Sequence, residues 1–394
     1  ALTLPDFFSQ RFNKHDGAIK IVSAVVIIIF FTLYTSAGLV GGGKLFESAF
    51  GVDYQIGVMV TMLVVVAYTL LGGFLAVSLT DFVQGVIMFV ALVMVPIVAF
   101  NHFDSSDAML AFSMEKIPSI SESYAELTIL AICSSLAWGL GYFGQPHIIV
   151  RFMAIDSVKN IKVARRIGMS WMTVTIIGAL ATGLTGVAYV NKFNVTLGDP
   201  ETIFIFFSNV LFHPLVSGFL LAAILAAVMS TISSQLLVSS SSLTEDIYRT
   251  YSKKKLSQQR LVNVGRICVF VVALISAMIA MNPASSILNI VSNAWAGFGA
   301  AFGPLILFSL IWERVTYKGA IAGIISGAVT VLLWIYLPIF ADGSTLSSVV
   351  YEILPGFIIS SITIWIVSMW DTSPSKKITD TFKEVNHQLI QRSS

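Results

Sequence analysis

The stretch AWGLGYFGQPHIIVRF, residues 137–152, places three glycines and a proline inside an apolar run. Gly139, Gly141 and Gly144 match the letters of the dinucleotide fingerprint G-x-G-x-x-G, but neither a predicted strand nor a soluble βαβ unit surrounds them. Glycine and proline both weaken the hydrogen-bond ladder of a helix. The stretch therefore predicts a helix that loosens within a membrane. The alternative is that the glycines only permit close packing against another helix.

The composition of the whole chain indicates a membrane protein with many spans. Of its 394 residues, 56% are hydrophobic and only 11% are charged, whereas soluble domains carry about 25% charged residues. The formal net charge of +2 is too small to favour nucleic-acid binding. The two cysteines, Cys133 and Cys268, lie in apolar segments and indicate neither a disulfide nor a metal site.

Ten apolar segments are long enough to cross a bilayer, which requires about 20 helical residues. Two longer uncharged runs must be divided, one at His213-Pro214 and one at the turn signal Asn282-Pro283. The first division leaves TIFIFFSNVLF as a short helix at the membrane face. The predicted spans are residues 20–43, 54–79, 82–101, 127–150, 167–190, 214–243, 264–281, 285–312, 319–340 and 353–370.

The distribution of Lys and Arg predicts the orientation, because these residues stay on the cytoplasmic side. If the first segment is inside, only Lys44, Lys116 and Lys192 fall outside, and the other 20 of the 23 basic residues fall inside. We therefore expect a multi-pass protein of the cell membrane with both ends of this chain in the cytoplasm. Residues 1–370 are expected to form one transmembrane transporter domain, and residues 371–394 a cytoplasmic C-terminal tail.

Charged side chains are absent from the middle of every predicted span. The closest is Asp81, which is expected in a short turn on the inside. Proton pumps and voltage sensors usually require charges within the membrane. The spans of this chain are therefore expected to act through neutral groups.

A second stretch, AAVMSTISSQLLVSSSS at residues 226–242, carries eight hydroxyl residues and no charge. Helical spacing places Ala227, Ser230, Thr231 and Ser234 on one face. The small side chain of Ala227 leaves its backbone carbonyl open beside the hydroxyls. A neutral set of oxygens suits a monovalent ion such as sodium, whereas calcium and magnesium usually require carboxylates. The alternative is that the hydroxyls join helices or bond to their own backbone.

Aromatic side chains in two segments are candidates for contact with a solute. Trp138 and Tyr142 are four residues apart, so they share a helical face that offers a flat wall and a hydroxyl. The alternative is that both face lipid. In SNAWAGFGAAFGPLILF, residues 292–308, the small residues favour a packing helix. Contact of Trp295 or Phe298 with a substrate is a secondary interpretation of that segment.

Long stretches of the chain resemble the solute:sodium symporter family, and most closely its sodium/proline symporters. The stretches are ALTLPDFFSQRF, GGKLFESAFG, GGFLAVSLTDFVQGVIM, WGLGYFGQPHIIVRFM, LAAILAAVMSTISSQLL with LTEDIYR, and AWAGFGAAFGPLILFSLIW. The resemblance implies an all-α polytopic membrane protein with a LeuT-type fold of two inverted five-helix repeats. It also implies that about three helices precede Ala1, so that the transporter domain is N-terminally incomplete.

The resemblance further implies which residues form the two sites. The sodium ligands of the eighth core helix match the carbonyl of Ala227 and the hydroxyls of Ser230 and Thr231. The residues of the sixth core helix that bind proline match three residues here: Trp138, Tyr142 and Pro146. An Asp of the first core helix that matters for sodium in the family has no counterpart in this chain.

The predicted function is sodium-coupled import of L-proline by alternating access, with Na+ as the coupling ion and no organic cofactor. The predicted partners are L-proline, sodium and the lipid bilayer. Another solute of the same family, such as a sugar, a vitamin or a monocarboxylate, is the nearest alternative. A different class of protein is a channel. Hydroxyl-lined helices would suit its pore, but a broken helix favours alternating access. An enzyme is disfavoured because no span carries a general base, a metal triad or an activated nucleophile.

Overall fold

The computed structural model describes residues 1, 3–13, 17–116, 128–252, 257–282, 286–341 and 343–393, and most of them are helical. The first helix shows how the local sequence sets an element. Thr3 caps it by accepting a hydrogen bond from the Asp6 amide at 3.1 Å, and Pro5 lies in its first turn. Leu4 and Phe8 are fully buried, which fixes this short helix against the bundle.

Seventeen α-helices follow one another along the described parts of the chain. They are α1 (Leu4–Arg11), α2 (Ala18–Phe50), α3 (Tyr54–Leu75), α4 (Val77–Phe100), α5 (Ser106–Lys116), α6 (Ile129–Leu136), α7 (Trp138–Gly141), α8 (Pro146–Met153), α9 (Val158–Lys192), α10 (Ile203–Leu211), α11 (Pro214–Ser241), α12 (Arg249–Tyr251), α13 (Gln258–Ile279), α14 (Ile287–Ile311), α15 (Tyr317–Tyr336), α16 (Ile353–Trp370) and α17 (Lys376–Ser393). Within the described residues, nine are long and apolar enough to cross a membrane: α2, α3, α4, α9, α11, α13, α14, α15 and α16.

The fourth predicted span, residues 127–150, is a broken helix. After α6 and α7 the chain passes through a 3₁₀ turn at Tyr142–Gly144 and an extended Gln145, with φ −80° and ψ 107°. Pro146 then begins α8, where its missing amide hydrogen costs no helical bond. The predicted loosening of this helix is confirmed for residues 128–150, and residue 127 lies outside the described residues.

The boundary between the second and third predicted spans is wrong. Gly73, with φ 59° and ψ −165°, has a non-helical backbone two residues before α3 ends at Leu75, whereas the prediction placed the boundary between residues 79 and 82. Asp81 therefore lies within α4 and not in a turn. Glycine adopts this backbone at little cost because it lacks a Cβ. Hydropathy does not detect the break, because the residues on both sides of it are apolar.

The two long uncharged runs divide as predicted. The short helix α10 ends before His213, and α11 begins at Pro214. The second run separates into α13 and α14, although Pro283 of the predicted turn lies outside the described residues. Several helices extend past their predicted apolar limits. For example, α9 begins at Val158, nine residues before the predicted span, because its Lys- and Arg-rich first turns can continue the helix beyond the hydrocarbon region.

Helix α14 is the centre of the largest buried cluster. Every residue from Ala294 to Leu305 is buried, and neighbours from α1, α2, α15 and α16 pack around it. A Cβ on Gly303 would lie 2.8 Å from the ring of Phe357 in α16, so these helices approach more closely than larger residues would allow. The interpretation of residues 292–308 as a packing helix is confirmed.

The broken helix packs directly on α14 through two of its three glycines. A Cβ on Gly299 would lie 2.8 Å from the Cα of Gly141, and a Cβ on Gly144 would overlap the carbonyl of Phe298. Gly139, by contrast, has open space around the position of a Cβ. The helix is therefore broken, and the alternative interpretation of close packing also holds for Gly141 and Gly144.

The substitutions Gly144→Ala and Gly139→Ala test this contact as a matched pair. A methyl group at Gly144 meets backbone that cannot move aside, so we expect a loss of about 1–3 kcal/mol of stability, as in overpacked cores. The thermal unfolding midpoint in detergent should fall for Gly144→Ala and stay near the parent value for Gly139→Ala. Equal midpoints for both variants would contradict the packing described here.

Candidate functional site

Two hydroxyls of α11 meet at one backbone carbonyl. Ser230 Oγ donates a hydrogen bond to the carbonyl of Ala227 at 3.1 Å, and Thr231 Oγ1 donates to the same oxygen at 3.0 Å. We call Ala227, Ser230 and Thr231 the hydroxyl notch. All three residues are partly buried. Both hydroxyls bond to the backbone of their own helix, as the alternative interpretation of this stretch predicts. The same two bonds also bring three oxygens together at one place. A hydroxyl can rotate its hydrogen away and present a lone pair to a cation.

Neighbouring helices hold α11 in place on both sides of the notch. A Cβ on Gly38 of α2 would lie 2.7 Å from Ile232, so α2 and α11 approach closely just beyond the notch. Tyr68 of α3 donates a hydrogen bond from its hydroxyl to the carbonyl of Met229 at 2.7 Å. The backbone that carries the notch is therefore fixed by two other spans.

Ser234 connects the same face of α11 to a charged pair. Its Oγ lies 2.8 Å from the carbonyl of Ser230, 2.7 Å from Arg151 Nη2 and 3.3 Å from Asp81 Oδ2. Asp81 and Arg151 form an ion pair, and Arg151 also donates to the carbonyl of His147 at 2.8 Å. The group joins α4, α8 and α11. The sequence did not predict this group, because Asp81 was expected in a turn. A carboxylate beside an apolar span could have indicated a buried ion pair.

The broken helix and α11 line a common cavity of about 500 Å³. Its wall includes His147, Val150 and Arg151 of α8 on one side and Ser234, Leu237 and Ser241 of α11 on the other. None of the six predicted site residues lines this cavity: Trp138, Tyr142, Pro146, Ala227, Ser230 and Thr231 are all absent from its wall.

The aromatic side chains of the broken helix pack around Trp295. The rings of Trp138 and Trp295 are 6.0 Å apart, and the edge-to-face pair of Tyr142 and Trp295 is 4.8 Å apart. Trp138 also stacks on Tyr351 at 5.5 Å with an interplanar angle of 23°. The predicted common face of Trp138 and Tyr142 is confirmed. Tyr351 was missed because it arrives from a distant part of the chain and no spacing points to it.

Gln145 holds the break itself. Its side chain is fully buried, and Nε2 donates to the carbonyls of Gly141 at 3.2 Å and Trp295 at 3.3 Å. These bonds satisfy carbonyls on both sides of the contact between the broken helix and α14. Pro146, the next residue, is buried as well. An amide side chain between three glycines and a proline was the signal that could have pointed to this role.

A second charged group lies near the C-terminal end of α2. Lys44 Nζ is 2.6 Å from Asp199 Oδ2 and 2.6 Å from Glu201 Oε2. The hydrogen bond from Lys44 lowers the pKa of Asp199. Glu201 Oε1 also accepts from Ser286 Oγ at 3.0 Å and from the amide of Ile287 at 3.1 Å. The group thus joins α2 and the segment before α10 to the beginning of α14.

A bundle of many apolar helices, with one helix broken beside a hydroxyl-bearing one, defines a secondary transporter of the broken-helix class. The profile of the Sodium:solute symporter family matches residues 1–327. This chain belongs to the sodium:solute symporter family, a family of transporters, and is a multi-pass membrane protein.

Similar proteins cover the whole chain. The osmoregulated proline transporter OpuE of Bacillus subtilis (strain 168) is 57% identical over 392 residues, which are 100% of this chain and 78% of that relative. Sodium/proline symporter 2 of Staphylococcus saprophyticus is 52% identical over 99% of this chain and 77% of its own length. The solved structure of a Na+-coupled sialic acid symporter, in a substrate-bound outward-open state, has a TM-score of 0.76 at 19% identity and covers 95% of this chain and 78% of that one. The LeuT-type fold implied by the resemblance is confirmed.

The ion pair between Asp81 and Arg151 can be tested by exchanging its charges. Asp81→Arg alone places two cations together, and Arg151→Asp alone places two anions together, so each should lower the thermal unfolding midpoint. The double exchange restores opposite charges and should recover much of the loss. If the double variant melts no higher than the less stable single variant, the pair does not hold α4 and α8 together.

Proposed function

We propose that this chain imports L-proline together with sodium by alternating access. Relatives with more than half of their residues identical are named as proline transporters or sodium/proline symporters, and the similarity extends over the whole chain. The observation that carries the proposal is the hydroxyl notch, where three neutral oxygens meet on α11, the helix that Arg151 of α8 contacts at Ser234. The function needs no covalent chemistry, in keeping with membership of a transporter family.

The hydroxyl notch is proposed as this chain's part of the sodium site. The carbonyl of Ala227 and the hydroxyls of Ser230 and Thr231 would act as ligands once the two hydroxyl hydrogens turn away from the carbonyl. Three oxygens without a carboxylate favour a monovalent cation over calcium or magnesium. Binding would then fix α11 relative to α8, which contacts α11 through the hydrogen bond from Arg151 to Ser234.

The broken helix is proposed to carry the substrate site, with Trp138, Tyr142 and Pro146 as its residues. Trp138 and Tyr142 offer aromatic surface for the pyrrolidine ring, and Tyr142, which is 47% exposed, adds a hydroxyl that lies 3.5 Å from Met172 Sδ. Pro146 begins α8, whose N-terminal turn carries the positive end of the helix dipole. The carboxylate of the zwitterion is proposed to meet that turn.

Coupling is proposed to run through the contact between α8 and α11, where Arg151 donates to Ser234. If sodium raises the affinity for proline, proline must raise the affinity for sodium by the same factor. Import then draws on the sodium gradient and on the membrane potential, which contributes about 2.3 kcal/mol per charge per 100 mV. The distribution of Lys and Arg predicts that both ends of this chain lie in the cytoplasm, and the proposed import uses this orientation.

The division into a transporter domain at residues 1–370 and a cytoplasmic tail at residues 371–394 is also part of the proposal. Helix α17 of the tail contacts the face that the basic residues mark as inner. Lys383 Nζ lies 3.7 Å from Glu313 Oε2, and the guanidinium of Arg11 lies 5.2 Å from the ring centre of Phe382. These contacts support a tail that rests against the cytoplasmic side.

The nearest alternative keeps the same mechanism but changes the solute. The aromatic surface of Trp138 and Trp295 would also accept the ring of a sugar, and the N-terminal turn of α8 would accept a monocarboxylate. Uptake of labelled proline in the presence of an excess of unlabelled solute separates these cases. Proline should compete fully, whereas a sugar, a vitamin or a monocarboxylate should leave the rate unchanged. Stronger competition by one of these solutes would replace proline as the proposed substrate.

Removal of one ligand from the hydroxyl notch should mainly alter the response to sodium. For Ser230→Ala and Thr231→Ala, we expect the half-saturating sodium concentration for uptake to rise by about tenfold or more, the effect of one lost charge-assisted contact. Proline affinity at saturating sodium should change far less. Ser361→Ala is the control, since this hydroxyl of α16 donates to the carbonyl of Phe357 and lies outside the proposed site. Parent-like sodium dependence in both notch variants would exclude the notch as the sodium site.

Removal of an aromatic ring should mainly alter the response to proline. We expect Trp138→Ala and Tyr142→Ala to weaken proline binding at saturating sodium by about tenfold, because each loses a large contact surface. Phe143→Ala is the control, as Phe143 lies in the same 3₁₀ turn and is 45% exposed. Equilibrium binding of labelled proline measures the effect. Unchanged binding in Trp138→Ala and Tyr142→Ala would remove the broken helix from the substrate site.

A further inference from the structure

A polar cavity of about 580 Å³ lies at the end of the bundle that the proposed orientation places outside. It is separate from the cavity between α8 and α11. Side chains with hydroxyl, amide and carboxyl groups line it, from α6, from the first turns of α14 and from the segment before α16. They include Ser134, Ser135, Asn289, Ser292, Asn293 and Glu352.

Glu352 is the only carboxylate among the residues that line this cavity. The residue is 2% exposed, and its Oε1 is shielded from solvent and has no hydrogen-bond partner. It precedes α16 without capping that helix through its side chain. None of the ion pairs among the described residues includes it. A buried carboxylate oxygen without a partner is costly, so a site that retains one is suited to an incoming cation.

Burial also affects the ionisation of this group. Desolvation raises the pKa of Glu352, which lies just outside the apolar span of α16, while hydrogen bonds from its own amide and from Ser347 act in the opposite direction. A cation that binds beside the carboxylate would favour the charged form.

Tyr351 connects this cavity to the proposed substrate site. Its amide donates to Ser134 Oγ at 3.2 Å, and its hydroxyl donates to the carbonyl of Ser292 at 2.9 Å. Its ring stacks on Trp138 at 5.5 Å. One aromatic side chain therefore belongs both to the wall of the cavity and to the aromatic group of the broken helix.

We propose that this cavity is an outer subsite that takes the positively charged nitrogen of the incoming amino acid, with Glu352 as the counter-charge. The inference rests on the proposed function, because it assigns the first contact of the same substrate. The volume suits a small zwitterion better than a bare ion. The ring of Tyr351 adds a surface that attracts an organic cation. The other polar groups of the wall are neutral hydroxyls and amides, and Ala131, Ile335 and Val349 add apolar surface, so the carboxylate is the one charged ligand.

Substitution of Glu352 by its neutral isostere tests the charge without a change in shape. Glu352→Gln should raise the KM for proline uptake by about tenfold, because one charge-assisted contact is lost. The maximal rate and the half-saturating sodium concentration should stay at the parent values. Glu47→Gln is the matched control, since Glu47 is an exposed carboxylate near the outer end of α2. It should leave all three quantities unchanged.

A labelling experiment locates the ligand in the cavity. Ser135 is exposed on the cavity wall and can be replaced by Ser135→Cys, in a background where Cys133→Ser removes the neighbouring exposed thiol. Proline should slow the reaction of this cysteine with a polar thiol reagent. It should no longer do so when Glu352→Gln is added. Sodium chloride without proline should not slow the reaction in either protein.

The outcomes separate this inference from the function on which it rests. If the parent protein transports proline but Glu352→Gln keeps the parent KM, and proline does not protect Ser135→Cys, the outer subsite is wrong and the proposed function stands. Protection by sodium alone would show a site for the inorganic ion and would also overturn the inference. If the parent protein neither binds nor transports proline, the proposed function itself fails.

Discussion

The close approach of the broken helix to α14 is the constraint on which the rest of the structure depends. Gly141 and Gly144 bring backbone against backbone at Phe298 and Gly299, where no side chain fits between the two helices. A break leaves backbone carbonyls without their helical partners, and lipid cannot supply others, so a break is tolerated only where protein does. Gln145 supplies them by donating to the carbonyls on both sides of this contact.

This contact also positions the chemistry. The same approach places Trp295 between Trp138 and Tyr142, which turns two ring systems of a broken helix into a fixed aromatic surface. Below the break, α8 turns toward α11, and its Arg151 reaches Ser234 of the hydroxyl-bearing face. A movement of α8 would therefore alter both the aromatic surface and the surroundings of the hydroxyl notch. Such a shared element is what coupling between an ion and a solute requires.

The sequence predicted the parts that depend on local pattern. Glycine and proline at residues 137–152 indicated the break, and helical spacing placed Ser230 and Thr231 above the carbonyl of Ala227. It did not predict contacts that depend on the path of the chain. Tyr351 meets Trp138 from more than 200 residues away, and Asp81 meets Arg151 from 70 residues away. Hydropathy shows which segments are apolar, but it does not reveal a single glycine with a positive φ, such as Gly73, within an apolar run.

The central claim is that movement of proline draws on sodium, and uptake of labelled proline into liposomes that contain the purified protein tests it most directly. With sodium outside and potassium inside, proline should accumulate above its external concentration and then decline as the sodium gradient dissipates. With potassium on both sides, the same liposomes should show no accumulation. Proline that enters equally well with and without the sodium gradient, and only to its external concentration, would contradict this account.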